Sequence, residues 1–210
     1  MKTRILMVDD HAVVRGGLRL MIEQTDDLMV AAEAASAHEA LGLARLNEFD
    51  VALVDIALPD VSGMDLLKRL RAQYPKLAIL MLSMYSENVY AVRALRQGAA
   101  GYLPKDTPPA ALLAAIRKIA AGGKVVPVSL LDRLASEVGS RQKSGHEALS
   151  DRELEVLRLI TAGQGLSEIA EALHLSPKTI TTYRARILEK TGLQSTAELV
   201  RYALEQGLLT

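Results

Sequence analysis

The sequence predicts an α/β domain built on a doubly wound, five-stranded parallel sheet, followed by a second, all-α domain of four helices. Up to about residue 122, short apolar runs alternate five times with longer helical patterns. Such repeats imply right-handed crossovers and a parallel sheet. The run at 51–54 is apolar at every position, as expected of a strand buried on both faces. From residue 149 onward only helical patterns remain.

Composition limits the classes of function. The chain has 210 residues, half of them hydrophobic, which suits two small domains with packed cores. The net charge is zero, so any affinity for DNA must come from a local basic patch. No apolar run approaches the roughly 20 residues of a membrane span, and the N-terminus does not have the pattern of a signal peptide. The chain has no cysteine, which excludes disulfides and fits a reducing compartment. We therefore expect a cytoplasmic protein with no membrane partner.

Individual elements follow from the apolar runs and from helix-start signals such as Ser36, Ser62 and Pro108-Pro109. Strands are predicted at 3–8, 28–33, 50–54, 77–82 and 100–103, and helices at 12–25, 37–47, 63–73, 86–96 and 108–121. The predicted domains are 1–122 and 149–210, joined by a linker at 123–148 that has a possible helix at 130–138. The helices of the second domain are predicted at 151–162, 167–174, 177–190 and 195–206.

Acidic residues close the first and third predicted strands. Asp9 and Asp10 follow the first run, and Asp55 follows the third. Neighbouring parallel strands point the same way, so these carboxylates can converge at the edge where open α/β sheets bind ligands. Carboxylates crowded there repel one another, and Mg²⁺ relieves the repulsion because it prefers oxygen ligands. It also keeps several waters, which leaves room for a phosphate oxygen.

Ser83 and Lys105, at the ends of the fourth and fifth strands, indicate that this edge is a phosphoryl-acceptor site. A carboxylate such as that of Asp55 can accept a phosphoryl group directly, and the transfer requires mainly positioning and charge neutralisation. The Ser83 hydroxyl could donate to a phosphoryl oxygen, and Lys105 offers a compact positive charge. Each residue alone is more often a turn former, a cap or a surface charge. Their joint occurrence at four strand ends indicates the function.

Residues 166–190 carry a helix-turn-helix pattern. Ser176 and Pro177 open the second helix, and Ile180 and Ile187 mark its buried stripe. Its other side chains include small groups that suit base edges and basic groups that suit phosphates: Lys178, Thr181, Thr182, Arg184, Ala185, Arg186 and Lys190. Segment 177–190 has a net charge of +3, from four basic residues and one acidic residue. Residues 149–210 carry seven basic and eight acidic residues, so charge alone leaves a protein-interaction module open.

The first domain resembles the receiver domain of bacterial two-component response regulators. The shared motifs are VDDH at 8–11, the Asp55 loop with LPD and then Gly63, LSM at 82–84, and GYLPKD at 101–106. The resemblance implies a flavodoxin-like fold with strand order 2-1-3-4-5 and Asp55 as the phosphoacceptor. It also implies Asp10 and Asp55 as direct Mg²⁺ ligands, the Ala57 carbonyl as a third, and Ser83 with Tyr102 as the switch pair. Pro104 departs from the family pattern, and an edge position would tolerate it.

The second domain resembles the LuxR-type helix-turn-helix. The matching segments are LSDRELEVLRLI at 149–160, EIA at 168–170 and LSPKTITTYRARILEKTGL at 175–193. With the receiver, they make the chain similar to the NarL/FixJ subgroup of response regulators. That resemblance implies that a histidine kinase phosphorylates Asp55 and thereby controls sequence-specific DNA binding, dimerisation and transcription. We expect a homodimer at least when the protein is phosphorylated, and place Leu199, Tyr202 and Ala203 on a possible dimer surface.

Three other functions fit parts of the pattern. An aspartyl-nucleophile phosphatase would use the same chemistry, but the second residue after Asp55 is Ala57, where such enzymes usually carry an acid. A transcription regulator that works without phosphorylation would have the same fold, and is the main alternative. A receiver that signals through protein contacts is the third, and a DNA-binding assay distinguishes it. The sequence predicts a regulator rather than an enzyme.

Overall fold

The computed structural model describes residues 2–84, 88–126, 145–206 and 208. The chain divides into two compact units, Met1–Ala135 and Ser136–Thr210, and each is described by itself. The possible helix at 130–138 lies outside the described residues. Within the described ranges, no helix is both long enough and apolar enough to cross a membrane.

The first unit is a five-stranded parallel sheet with a helix after each strand, as predicted. Its strands are β1 Thr3–Val8, β2 Leu28–Ala34, β3 Val51–Asp55, β4 Ala78–Ser83 and β5 Gly101–Pro104. Its helices are α1 Ala12–Glu23, α2 Ala37–Leu46, α3 Gly63–Gln73, α4 Asn88–Arg96 and α5 Pro109–Ala120. The strand order is β2-β1-β3-β4-β5, and every pairing is parallel. The doubly wound fold and its order are confirmed.

The sheet is buried because helices cover both of its faces. On one face, Ile5, Leu53 and Leu80 form a cluster with Ile22 of α1 and Ile116 of α5. Successive strand residues point to opposite faces, so the intervening apolar residues face α2, α3 and α4 on the other side. All five residues of β3 are buried. This central strand therefore holds its final residue, Asp55, in a fixed position at the carboxyl edge.

Local capping interactions explain where the helices after β2 and β3 begin. The Ser36 hydroxyl accepts from the Glu39 N–H at 3.2 Å, and the Ser62 hydroxyl accepts from the Met64 N–H at 3.3 Å. Both serines were predicted as helix starts. His11 is the N-cap residue of α1, although its side chain makes no capping hydrogen bond.

The second unit contains four α-helices preceded by a short 3₁₀ helix, Gly145–Ala148. The helices are α6 Asp151–Thr161, α7 Leu166–Ala172, α8 Pro177–Thr191 and α9 Thr196–Glu205. Helix α8 begins as predicted, because the Ser176 hydroxyl accepts from the Thr179 N–H at 3.1 Å and Pro177 is the first helical residue. Ile180 and Ile187 are fully buried, which confirms the predicted inner stripe.

Helix α7 ends two residues before its predicted end at 174. His174 has a φ of 52°, and the N–H groups of His174 and Leu175 donate to the carbonyls of Glu171 and Ala170. This hydrogen-bond pair is a Schellman motif, in which a left-handed residue terminates the helix. The periodic apolar pattern continued through the turn, so it did not indicate the stop.

The predicted dimer surface requires a correction. Leu199 and Ala203 are fully buried within the second unit, because they form the inward stripe of α9. Tyr202 is half-buried, and its hydroxyl lies 3.0 Å from the backbone nitrogen of His146, which donates to it. The exposed side of α9 carries Ala197 and Leu204 instead.

Candidate functional site

Three carboxylates and one imidazole meet at the carboxyl ends of β1 and β3. Ligand atoms of Asp9, Asp10, His11 and Asp55 all lie within 4.8 Å of one another. The two strands are neighbours in the sheet, with Val8 opposite Val54, so the residues that follow them are brought together. Oxygen donors dominate this set, as a hard divalent cation requires. The cluster could therefore hold a metal ion.

Lys105 bridges the two buried carboxylates of the cluster. Its Nζ lies 2.6 Å from Asp9 Oδ2 and 2.6 Å from Asp55 Oδ2. The Lys105 side chain is 5% exposed, and those of Asp9 and Asp55 are each 3% exposed. One ammonium group thus supplies the positive charge next to two carboxylates that are largely removed from water.

Burial also sets the proton affinity of the central carboxyl group. Desolvation raises the pKa of Asp55 to about 6, although the neighbouring Lys105 ammonium acts in the opposite direction. For Lys105, burial lowers the pKa, but the attraction of Asp55 and Asp9 outweighs it, and the pKa is raised. At neutral pH, therefore, Lys105 is charged and most Asp55 is ionised. An ionised carboxylate is the form that can act as a nucleophile.

The loop after β3 orients the Asp55 side chain. The Ala57 N–H donates to Asp55 Oδ1 at 3.3 Å, so the peptide before Ala57 faces the carboxylate. The Gly63 N–H donates to the Ile56 carbonyl at 2.8 Å, which closes the base of the loop. One backbone N–H of this loop therefore contacts the Asp55 carboxylate, and a second closes the loop.

The remaining predicted residues of the first unit lie on β4 and β5. Ser83 and Tyr102 are both completely buried. Ser83 is paired with Pro104 in the sheet, and its carbonyl accepts from the Lys105 N–H at 2.7 Å. The structure thus brings Ser83 and Lys105 to the same edge as Asp9 and Asp55.

Pro104 is accommodated because β5 is an edge strand. The Tyr102 N–H points away from β4 and donates to the Val125 carbonyl at 3.4 Å. Backbone nitrogens alternate in direction along a strand, so the nitrogen of Pro104 also points away from β4. The missing N–H therefore removes no hydrogen bond between β4 and β5.

Helix α8 presents a polar face to solvent in the second unit. Six of the seven residues predicted to contact DNA are exposed on it: Lys178, Thr181, Thr182, Ala185, Arg186 and Lys190. The hydroxyls of Thr181 and Thr182 donate to the carbonyls of Pro177 and Lys178, at 2.9 and 3.0 Å. With those hydrogens already engaged, each threonine offers a methyl group and oxygen lone pairs to a partner.

Arg184, which is half-buried, and Lys190 also interact within the unit. Lys190 Nζ lies 2.6 Å from Oε2 of Glu153, whose side chain is almost fully buried. Arg184 Nε donates to Thr196 Oγ1 at 3.1 Å. These interactions tie α8 to α6 and α9. Glu153 was not identified from the sequence as a partner, although its position three residues after Ser150 signals the capping box that the structure shows.

Comparisons with known families match both units. The response regulator receiver domain matches residues 5–117, and the luxR family of bacterial regulatory proteins matches residues 147–203. The chain is 34% identical to the response regulator UvrY of Escherichia coli K12 over 206 residues, which cover 97% of this chain and 94% of UvrY. It is 38% identical to the oxygen regulatory protein NreC of Staphylococcus aureus over 214 residues, which cover 98% and 99% of the two chains.

A solved structure that matches this chain is RcsB from Salmonella enterica serovar Typhimurium, bound to the rprA promoter in the presence of the phosphomimetic BeF₃⁻. The match has a TM-score of 0.64 and 25% sequence identity, and covers 96% of this chain and 98% of RcsB. Both matched families and the two relatives are regulatory proteins. The chain belongs to the NarL/FixJ family of two-component response regulators, which regulate transcription through a LuxR-type DNA-binding domain.

Proposed function

We propose that Asp55 accepts a phosphoryl group from a histidine kinase and that this modification controls DNA binding by α8. The observation that carries the proposal is the position of the Asp55 carboxylate. It is buried, it lies 2.6 Å from the Lys105 ammonium, and it belongs to a cluster of possible metal ligands. A nucleophile, a fixed positive charge and a cation site are the parts that phosphoryl transfer requires.

The transfer is a displacement at phosphorus. An Asp55 carboxylate oxygen forms a bond to phosphorus while the P–N bond of a phosphohistidine, or the P–O bond of a small acyl phosphate, breaks. The imidazole or the carboxylate of the donor leaves with the electron pair of the broken bond. Lys105 stabilises the charge on the phosphoryl oxygens. Asp9, Asp10, Asp55 and the Ala57 carbonyl would hold Mg²⁺, which neutralises charge on the carboxylates and the phosphoryl group.

Phosphorylation changes the groups that surround Asp55. It replaces the single negative charge of the carboxylate with a phosphoryl group that carries about −1.5 to −2 and has three acceptor oxygens. Lys105, now shared between Asp9 and Asp55, is drawn toward the new oxygens, and the Ser83 hydroxyl donates to one of them. Tyr102 is already buried, so its part in the switch is repacking within the β4–β5 region. The resulting population shift is limited by the difference in stabilisation of the two states.

The DNA contacts in this proposal come from the exposed face of α8. Lys178 and Arg186 bind phosphates, and Thr181, Thr182 and Ala185 approach base edges in the major groove. A homodimer would place two such helices on half-sites about one DNA turn apart. The exposed Leu204 of α9 is the apolar group that a dimer contact would cover. The protein would act in the cytoplasm, because the chromosomal DNA of bacteria lies there.

Mass spectrometry tests the acceptor directly. The purified protein is incubated with Mg²⁺ and acetyl phosphate, and its intact mass is recorded beside those of Asp55→Asn and Asp65→Asn. Asp65 is a half-exposed acid paired with Lys68, so its variant controls for the loss of one carboxylate. We expect one phosphoryl group on the wild type and on Asp65→Asn, and none on Asp55→Asn. A phosphoryl group on Asp55→Asn would refute Asp55 as the acceptor.

If the wild type gains none, beryllofluoride binding distinguishes a kinase-only donor from a phosphorylation-independent regulator.

A further inference from the structure

We propose that Asp60 is a positioning residue, which fixes the loop between β3 and α3 by binding the first turn of α2. Through that loop it sets the positions of the Ala57 backbone and the Asp55 carboxylate. The inference rests on the proposed function, because those two groups belong to the proposed metal and phosphoacceptor site. Asp60 itself is exposed to solvent and is not part of the acidic cluster formed by Asp9, Asp10, His11 and Asp55.

The Asp60 carboxylate binds two backbone N–H groups of α2. Its Oδ1 accepts from the Ala37 N–H at 3.0 Å, and its Oδ2 accepts from the His38 N–H at 2.8 Å. Oδ1 also accepts from the Val61 N–H at 2.9 Å, within the loop itself. Partial burial raises the pKa of Asp60, but these N–H donors outweigh it and the pKa is lowered. The group that binds α2 is therefore an anion at neutral pH.

Helix α2 provides a suitable anchor for an anion. The first N–H groups of a helix have no partner within it, and the helix dipole favours negative charge there. The Ser36 hydroxyl satisfies the Glu39 N–H, which leaves the two preceding N–H groups for Asp60. An anchor made from backbone groups of a regular helix does not depend on side-chain rotamers.

Without Asp60, the loop keeps its attachments near β3 and α3 but loses its link to α2. Gly63 closes the base of the loop on Ile56, and Leu58 within the loop is buried. Asp60 holds the outer part of the loop, three residues beyond Ala57. The Ala57 N–H and carbonyl belong to consecutive peptide groups, so a rotation of this segment moves both the contact to Asp55 and the proposed metal ligand.

The test compares Asp60→Ala and Asp60→Asn with Ser36→Ala in the full-length protein. Ser36→Ala removes the other cap of the same helix turn and leaves the loop attached. Mn²⁺ affinity is measured by electron paramagnetic resonance of the free ion, and amide hydrogen exchange is measured for residues 56–62. Loss of a group that orients metal ligands typically weakens metal binding about tenfold or more. We expect that loss, with faster exchange in the loop, for Asp60→Ala. Ser36→Ala should keep wild-type Mn²⁺ affinity and loop exchange.

Asp60→Asn separates position from charge. The asparagine keeps one acceptor oxygen for α2 but removes the negative charge, so we expect an intermediate Mn²⁺ affinity and intermediate exchange. Equal Mn²⁺ affinity for Asp60→Asn and Asp60→Ala, with loop exchange unchanged in both, would overturn the proposal, because the effect would then be purely electrostatic. Wild-type Mn²⁺ affinity in Asp60→Ala would also overturn it. Failure of the wild type to bind Mn²⁺ would instead count against the proposed function, and loop exchange alone would then decide whether Asp60 fixes the loop.

Discussion

Gly63 allows α3 to approach the backbone of Asp55, and replacing it with alanine should displace the phosphoacceptor. A Cβ atom at position 63 would lie 1.9 Å from the Asp55 carbonyl oxygen, 2.8 Å from its carbonyl carbon and 2.9 Å from the Ile56 Cα. All three neighbours are backbone atoms, and β3 is buried along its whole length. No side-chain rotation can relieve the contact.

The size of the effect follows from these distances. Carbon atoms in favourable contact lie about 3.5–4.0 Å apart, so the Gly63 and Asp55 backbones must separate by more than about 1 Å. Overpacking a core usually costs about 1–3 kcal/mol. We expect at least about 3 kcal/mol here, since a central strand and a helix must both move, out of a total stability of about 5–15 kcal/mol. A 1 Å misplacement of a reacting group can also lower its rate about 100-fold.

Urea unfolding of the full-length protein, followed by circular dichroism, measures the stability, and acetyl phosphate measures the reactivity. Gly42→Ala is the matched control, because Gly42 lies inside α2 and a Cβ there would have no neighbour within 4 Å. That control should gain about 0.5–1 kcal/mol, as usual when alanine replaces glycine in a helix. A Gly63→Ala protein with wild-type stability and a wild-type phosphorylation rate would refute the close-approach argument.

Further predictions concern four residues of the second unit. Glu155 is buried beside Arg152, and its pKa is raised from 4.5 because desolvation outweighs the ion pair. The folded state therefore holds the proton to higher pH than the unfolded chain, and this residue's contribution to stability falls as pH rises from about 4.5 through the raised pKa. Glu155→Gln should remove that pH dependence in thermal unfolding, and an unchanged pH profile would contradict the assignment. Arg186→Gln should reduce the slope of log affinity against log salt for DNA by about 1. Lys190→Gln should instead lower the melting temperature by breaking the pair with Glu153, and the reverse pattern would contradict the roles assigned here. His174→Gly should stabilise the unit by about 0.5–1 kcal/mol, because His174 adopts a left-handed conformation that glycine accepts; equal or lower stability would count against strain at this turn.

Much of the fold and the candidate site could be predicted from the sequence because both depend on local periodicity. An all-apolar run such as 51–54 indicates a strand covered on both faces, and alternation with helices determines that the sheet is parallel. Once the sheet is parallel, residues such as Asp9, Asp55 and Lys105 that follow its strands must lie at the same edge. This prediction does not require knowledge of any side-chain packing.

Interactions between distant segments could not be predicted in the same way. The helical repeat shows which way Lys190 points on α8, but not that Glu153, 37 residues away, lies at that point. Leu199 and Ala203 form a regular apolar stripe, and such a stripe fits a monomer core as well as a dimer surface. From the sequence, Asp60 looks like an ordinary turn residue. Its partners are backbone N–H groups at the start of a helix 23 residues earlier, and the sequence pattern does not show that contact. Each of these assignments needs the tertiary arrangement.

The most direct test of phosphorylation control is the DNA affinity of the wild type and Asp55→Asn, each with and without beryllofluoride and Mg²⁺. The probe is a fluorescent DNA fragment selected from genomic DNA by binding to the protein, and affinity is read from anisotropy at fixed salt. We expect beryllofluoride to change the affinity of the wild type several-fold and to leave that of Asp55→Asn unchanged. An equal response in both proteins, or no response in a wild type shown to bind beryllofluoride, would contradict control through Asp55.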